Sequence, residues 1–241
     1  MSHPIRQAVV LAGGKGTRLG GLTSETPKPL LPVGGRPFIE WVITNLARHG
    51  VSDVILTIGY RAEAFENWLG TFSGSTEVSL FVEERPLDTG GALSVMVERL
   101  DEALLVLNGD TLFDAPMAAL GESLADSEAD AVIALRPVED VTRYGRVGLS
   151  ENIVTSFAEK SGPGPGLING GLYALRRRDL EGRRSPMSIE RDLLPELVRG
   201  GRVRGLECDG FFIDIGVPTA YSEAQRSVPE WWEEISSGGL A

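Results

Sequence analysis

The chain has 241 residues, 42% hydrophobic and 24% charged. That is the make-up of one soluble α/β domain and excludes a disordered or fibrous chain. About 70–75% of the unfolded surface is buried at this size, so no staple is needed, and the single cysteine, Cys208, excludes an internal disulfide and a cysteine-based zinc site. The net charge of −11 argues against a nucleic-acid or anionic-membrane binder working through bulk charge, and no apolar run reaches the roughly 20 residues of a membrane span.

In chain order, the β-branched run 7–12, ending at Gly13-Gly14, predicts a buried parallel strand. Its short apolar stretch is not the pattern of a signal peptide, and the expected location is cytoplasmic. Residues 13–36, rich in Gly and Pro, predict a long functional loop. A helix is expected over 37–49, closed by Gly50. Strands 53–58, 77–83, 103–108 and 131–136 then alternate with helices 61–69, 89–100 and 116–127. That rhythm predicts a Rossmann-like, mostly parallel sheet flanked by helices. From about 145 short strands crowd together at 145–149, 153–159 and 167–175, a small β-rich part. Helix 188–199, strands near 203–213 and helix 218–226 complete a single domain of 1–241. Its expected division is a first half over about 1–140, a β-rich second half over about 141–226 and a tail over 227–241.

Charge is unevenly placed. Residues 1–50 carry six Lys/Arg and two Asp/Glu, net +4, and the remainder 17 and 32, net −15. A small polyanion is therefore best received near the N-terminus. Of the 23 basic residues only Lys15, Lys28 and Lys160 are lysine. A tight phosphate site can require the compact ammonium rather than the guanidinium fork.

Four segments carry chemistry. Leu11-Ala12-Gly13-Gly14-Lys15-Gly16-Thr17-Arg18-Leu19 follows a buried strand; its glycines let backbone N–H groups approach a phosphate, and Arg18 can fork onto phosphate oxygens. It is neither a Walker loop nor a dinucleotide fingerprint. In Thr26-Pro27-Lys28-Pro29-Leu30 two prolines stiffen the backbone and fix the direction of Lys28. Asp110 ends a strand in Leu107-Asn108-Gly109-Asp110-Thr111, where ligands of open α/β sheets sit; it either holds Mg²⁺ or caps a turn. Asp214, embedded in Phe211-Phe212-Ile213-Asp214-Ile215-Gly216, needs a metal or a basic partner. Asp88-Thr89-Gly90-Gly91 opens a helix, as an N–H donor site or a plain cap. Ser188-Ile189-Glu190 reads as cap and core, and Arg176-Arg177-Arg178 as a solvated helix start. His3 and His49 are poor catalytic candidates, and no nucleophile elbow is present.

LAGGKGTRL (11–19), PKPL (27–30), LNGDT (107–111), EK (159–160), NGG-Y (169–173) and FIDIGVP (212–218) occur in the order seen in the sugar-1-phosphate nucleotidyltransferases, and the chain resembles that family over about residues 7–226. Within it, EERPLDTGGAL (83–93) and FFIDIGVPTAYSEAQ (211–225) are most similar to the D-glycero-D-manno-heptose 1-phosphate guanylyltransferases. The mannose-1-phosphate guanylyltransferases and the N-acetylmuramate-1-phosphate uridylyltransferases are less close. No β-helix repeat of the kind some relatives append is read. The resemblance implies a nucleotide-diphospho-sugar transferase-like fold and an Mg²⁺-dependent reaction that joins a sugar 1-phosphate and a nucleoside triphosphate, releasing pyrophosphate, for surface glycan synthesis (lipopolysaccharide or capsule). It implies that Leu11, Ala12, Gly13, Gly14, Gly16, Thr17 and Arg18 wrap the nucleotide with Thr89, Gly90 and Gly91. Lys28, Gly145, Glu159, Lys160 and Asn169 would bind the sugar phosphate, and Asp110 and Asp214 the metal, with Arg18, Lys28 and Asp110 catalytic. It implies no nucleic-acid or membrane partner and fixes no oligomeric state. A catalytically dead sugar-nucleotide sensor would have lost Arg18, Lys28, Asp110 or Asp214, and all four are present. A glycosyltransferase would carry an Asp-x-Asp motif, which is absent.

Residues 84–91 would meet the base. Guanine presents adjacent N1–H and 2-amino donors that one carboxylate accepts together, whereas uracil and thymine suit an amide. The segment Glu83-Glu84-Arg85-Pro86-Leu87-Asp88 has three acids and no amide. GTP is therefore expected over UTP or dTTP, with Glu84 as reader, unless these acids merely end a strand in solvent.

Overall fold

A computed structural model describes residues 5–14, 16–125, 127–158 and 162–237. Among them the strands are β1 (Gln7–Leu11), β2 (Pro32–Val33), β3 (Arg36–Pro37), β4 (Asp53–Ile58), β5 (Glu77–Val82), β6 (Ala103–Asn108), β7 (Thr111–Phe113), β8 (Ala131–Val138), β9 (Arg146–Ser150), β10 (Ile153–Ala158), β11 (Gly166–Arg176), β12 (Val203–Glu207) and β13 (Phe212–Asp214). The helices are α1 (Phe38–Arg48), α2 (Ala62–Leu69), α3 (Asp88–Val95), α4 (Met117–Ala125), α5 (Leu194–Arg199) and α6 (Pro218–Ser237).

Nine strands form one sheet in the order β5-β4-β1-β6-β11-β8-β12-β10-β9. The first four are mutually parallel, as are β8 and β12. β11 runs antiparallel to both β6 and β8, and β10 antiparallel to β12 and β9. The N-terminal half thus has the expected parallel order, while β11 turns the C-terminal half into a mixed sheet. β4 and β5 lie on one side of β1 and β6 on the other, so the chain reverses its winding there, and the crevice beyond the carboxyl end of β1 is where such sheets bind ligands.

Adjacent strand residues feed opposite faces. Val10, Leu105 and Leu107 pack with Phe38, Ile39, Ile43 and Leu46 of α1, Phe65 and Trp68 of α2, and Val228 and Trp231 of α6. Val9, Leu104 and Val106 pack on the other face with Leu93, Tyr173, Ile189, Leu193 and Leu197. Each such large side chain contributes roughly 1.5–3 kcal/mol when fully buried, which makes the central sheet a stiff platform.

Three boundaries differ from the sequence reading. Helix 89–100 stops at Val95 and is followed by a 3₁₀ turn, Val97–Arg99. Helix 188–199 opens as a π-helical turn, Ile189–Leu193, before α5. The last helix continues to Ser237 with Pro229 inside it, rather than ending at 226. Pro229 removes one backbone donor, but Val228 and Trp231 beyond the first turns are buried and hold the helix down. The arginine run is not merely solvated: Arg176 and Arg177 donate to the carbonyls of Leu124 and Leu100, and Arg178 pairs with buried Asp130. Among the described residues no helix is long and apolar enough to cross a membrane.

Candidate active site

The exit of β1 is pinned on both sides. Ala12 N–H donates to Thr57 O (2.9 Å) and Gly109 N–H to Leu11 O (2.9 Å). A Cβ on Gly109 would stand 2.8 Å from Leu11 O, so only glycine lets the turn after β6 come this close. Beyond the pinned ends lies a cavity of about 900 Å³, lined in its floor by Leu11, Ala12, Gly13, Gly14, Gly16, Lys28 and Asp110. Its size suits a nucleotide.

Lys28 begins a single 3₁₀ turn, Lys28–Leu30, between the two prolines, and is buried. Its Nζ donates to Asp110 Oδ2 at 2.6 Å. Gly16, at φ +62°, packs directly on it: a Cβ there would lie 3.1 Å from Lys28 Cβ. The glycine loop and the lysine therefore form one surface. Arg18 is exposed on the 3₁₀ segment Thr17–Thr23. Neither Thr17 nor Arg18 reaches the cavity wall.

The strand pair β7–β13 brings the two aspartates together. Asp214 is in register with Thr111, and Ile215 N–H donates to Asp110 O at 3.0 Å. Asp214 Oδ1 accepts from Gly216 N–H (2.6 Å) and Oδ2 from Arg143 Nη2 (3.0 Å). Burial, reinforced by the Asp110 charge, pushes the Asp214 carboxyl up; Arg143, Gly216 N–H and Lys28 oppose the shift. Of the two partners anticipated for Asp214, a metal or a base, the structure supplies the base, Arg143. Among the described residues no cluster of three or more His, Cys, Asp and Glu could cage a metal. Two carboxylates beside a phosphate-sized cavity are the oxygen set that Mg²⁺ uses when phosphates and water complete its octahedron. Asp114 is turned away, pairing with Arg48 and accepting from Trp231 Nε1 (3.3 Å).

At the other wall, Glu83 and Glu84 both line the cavity. Glu84 is exposed, while Glu83 is half-buried, and its Oε2 accepts from Leu87 N–H at 3.0 Å. A Cβ on Gly13 would meet Glu83 Oε1 at 2.9 Å, so this carboxylate rests on the glycine loop itself. Burial raises its pKa, the Leu87 N–H opposes and Asp88 adds to the rise. Thr89 lines the cavity, but Gly90 and Gly91 do not. Both their N–H groups donate to Met187 O (2.9 and 2.8 Å). This corrects the expectation that they offer donors to a ligand: the 185–189 segment has consumed them.

On β11 Asn169 Nδ2 donates to Tyr173 Oη (2.8 Å) and its Oδ1 accepts from Gly171 N–H (3.0 Å). Gly171 has φ +68°, and a Cβ there would strike Asn108 Nδ2 at 2.6 Å, which explains the paired glycines. Gly145 is buried at φ +79°, its N–H donating to Val141 O. Glu159 and Lys160 lie outside the described residues. The sequence reading missed Arg143, whose loop carries no pattern, and Glu190, which it read as cap and core but which lines the cavity.

The family described as "Nucleotidyl transferase" matches residues 7–230. The D-glycero-alpha-D-manno-heptose 1-phosphate guanylyltransferase of Aneurinibacillus thermoaerophilus is 33% identical, over 93% of this chain and 99% of its own. The mannose-1-phosphate guanylyltransferase of Mycobacterium tuberculosis is 35% identical over 88% of this chain but only 61% of its own. The crystal structure of HddC from Yersinia pseudotuberculosis complexed with GMP-PN superposes with a TM-score of 0.84 at 32% identity, covering 92% of this chain and 99% of that one. Sequence, sheet order and site geometry agree, and the chain belongs to the nucleotidyl transferase family.

Proposed function

We propose that the chain is a sugar-1-phosphate guanylyltransferase that joins GTP and D-glycero-α-D-manno-heptose 1-phosphate into GDP-heptose and pyrophosphate. The observation that carries it is the Lys28–Asp110 pair on the floor of the cavity that the glycine loop also lines, with Asp214 brought next to Asp110 by the β7–β13 pairing. The nearly full-length likeness to a heptose 1-phosphate guanylyltransferase and to a structure holding GMP-PN supports the choice of substrates.

The sugar-phosphate oxygen attacks the α-phosphorus and pyrophosphate leaves in line. The nucleophile is already an anion, so no general base is required, and catalysis is positioning plus charge neutralisation. The glycine loop receives the phosphates, with Arg18 on the exposed turn that follows it. Lys28 aims its ammonium at the floor, and Glu83 or Glu84 reads the guanine edge. Glu159, Lys160, Asn169 and Gly145 hold the sugar phosphate. Asp110 and Asp214 hold Mg²⁺, which when bound neutralises phosphate charge. The reading carries a cytoplasmic location, from the absence of a signal-peptide pattern in the apolar run 7–12.

Pyrophosphate release from the four common triphosphates, each paired with heptose, mannose, glucose and N-acetylmuramate 1-phosphates, tests this reading. GTP with heptose 1-phosphate should give the highest kcat/KM. Mannose 1-phosphate is the second reading, favoured by the likeness to the mycobacterial enzyme. A preference for UTP or dTTP would overturn the guanylyl assignment.

A further inference from the structure

Glu190 stands on the π-helical turn Ile189–Leu193 and faces the cavity. π-turns of this kind gather at functional sites. Its carboxylate is fed by three hydroxyls: Oε2 accepts from Thr89 Oγ1 (3.0 Å) and Ser188 Oγ (3.1 Å), and Oε1 from Tyr173 Oη (3.2 Å). Each hydroxyl is itself an acceptor. Ile189 N–H donates to Thr89 Oγ1 (2.8 Å), Arg191 N–H to Ser188 Oγ (3.2 Å), and Asn169 Nδ2 to Tyr173 Oη (2.8 Å). Every hydroxyl proton therefore points inward to the carboxylate, and no ion pair of Glu190 occurs among the described residues. The two arms end in different places. Thr89 opens α3 beside Glu83 and Glu84, while Tyr173 leads to Asn169 on β11, across the sheet.

We propose that Glu190 is a positioning residue that sets both substrate loops at once: the nucleotide side through Thr89, and the sugar side through Tyr173 and Asn169. The inference rests on the guanylyltransferase reading for the identity of the two substrates. Physically, a carboxylate that accepts from both arms fixes their separation, and so fixes the approach of the sugar phosphate to the α-phosphorus. Misplacement of about 1 Å there is enough to cost two orders of magnitude in rate. Glutamine in its place presents an amide N–H₂ to hydroxyls already committed to donating, so one arm must reverse or let go.

The test is steady-state kinetics with GTP and heptose 1-phosphate. Glu190→Gln should lower kcat by about tenfold or more and raise KM for both substrates, with Tm close to that of the unaltered protein. Tyr173→Phe, which cuts one arm, should raise KM for the sugar phosphate and leave that for GTP unchanged. Thr89→Val should do the reverse. Glu190→Asp keeps the acceptors one methylene short and should recover part of the loss. The proposal is overturned if Glu190→Gln changes KM for one substrate only, if the two single-arm variants give the same pattern, or if Glu190→Gln lowers Tm and activity together with no change in either KM. If the unaltered enzyme instead turns over a different substrate pair, the guanylyltransferase reading is what has failed. The same four variants measured on that pair then decide the role of Glu190.

Discussion

Lys28 Nζ and Asp110 Oδ2 lie 2.6 Å apart, in a pair whose lysine side chain is only 7% exposed and whose aspartate is 27% exposed. The lysine is packed under Gly16 and stiffened by Pro27 and Pro29. It is a fixed cation at the floor of a site that must receive two anionic substrates, and it neutralises the Asp110 carboxylate. Lys28→Met should lower kcat by about 10²–10³ through lost electrostatic stabilisation. Lys28→Arg should not restore it, because the packing against Gly16 leaves no room for a guanidinium. Single-turnover rates of the two variants check this.

Asp110→Ala and Asp214→Ala should each lose several orders of magnitude in turnover, and the double variant should be little worse, since the two act as one unit. Calorimetric titration of Mg²⁺ into the enzyme with bound GTP analogue gives an independent readout. Tight binding retained by Asp214→Ala would remove that residue from the metal site.

Glu83 and Glu84 are separable. A half-buried carboxylate discriminates between bases more strongly than one in bulk solvent, so Glu83→Gln should narrow the GTP-over-UTP ratio of kcat/KM more than Glu84→Gln does. Burial raises the Glu83 pKa, and reading guanine requires the ionised form. KM for GTP should therefore rise as pH falls into a range above that of an ordinary carboxylate, and Glu83→Gln should flatten this dependence. A profile unchanged in Glu83→Gln would shift the reader's role to Glu84.

Cys208 is buried, its Sγ against Leu206 O at 3.3 Å, and burial pushes its thiol up to about 11. Only the thiolate reacts. The native protein should consume almost no thiol reagent at pH 8 and one equivalent once unfolded, which a thiol titration with and without denaturant measures.

Trp231 stacks on Phe211 with centroids 5.1 Å apart, and its Nε1 donates to Asp114. Trp231→Ala should cost about 3–5 kcal/mol, seen in urea unfolding as a lower midpoint with an unchanged slope.

The sheet and the floor of the site were legible because each rests on a local rule. The continuous apolar run 103–108 delivers Asp110 to a strand end, and an aspartate locked in Phe212-Ile213-Asp214 has to find a charge partner. What escaped depends on contacts between distant segments. Gly90 and Gly91 look like a donor loop until Met187 is seen to accept from both. Arg143 has no pattern around it, and only the fold brings it to Asp214. The length of α6 was hidden because Pro229 reads as a stop, while the apolar contacts of Val228 and Trp231 that override it come from other parts of the chain.

The two aspartates of the floor are about 100 positions apart, and β13 meets β7 only after most of the chain has been made. This imposes an order on synthesis. The strands β1, β4, β5 and β6, with the glycine loop, leave the ribosome long before residue 214, whereas a domain folds as a unit. A nascent or truncated chain ending ahead of β13 therefore carries the phosphate loop and Lys28 with only half of the carboxylate pair. Such a chain also lacks α6, whose Val228 and Trp231 belong to the core under the same sheet, so a C-terminally clipped product should lose the fold and the second carboxylate together and be inactive.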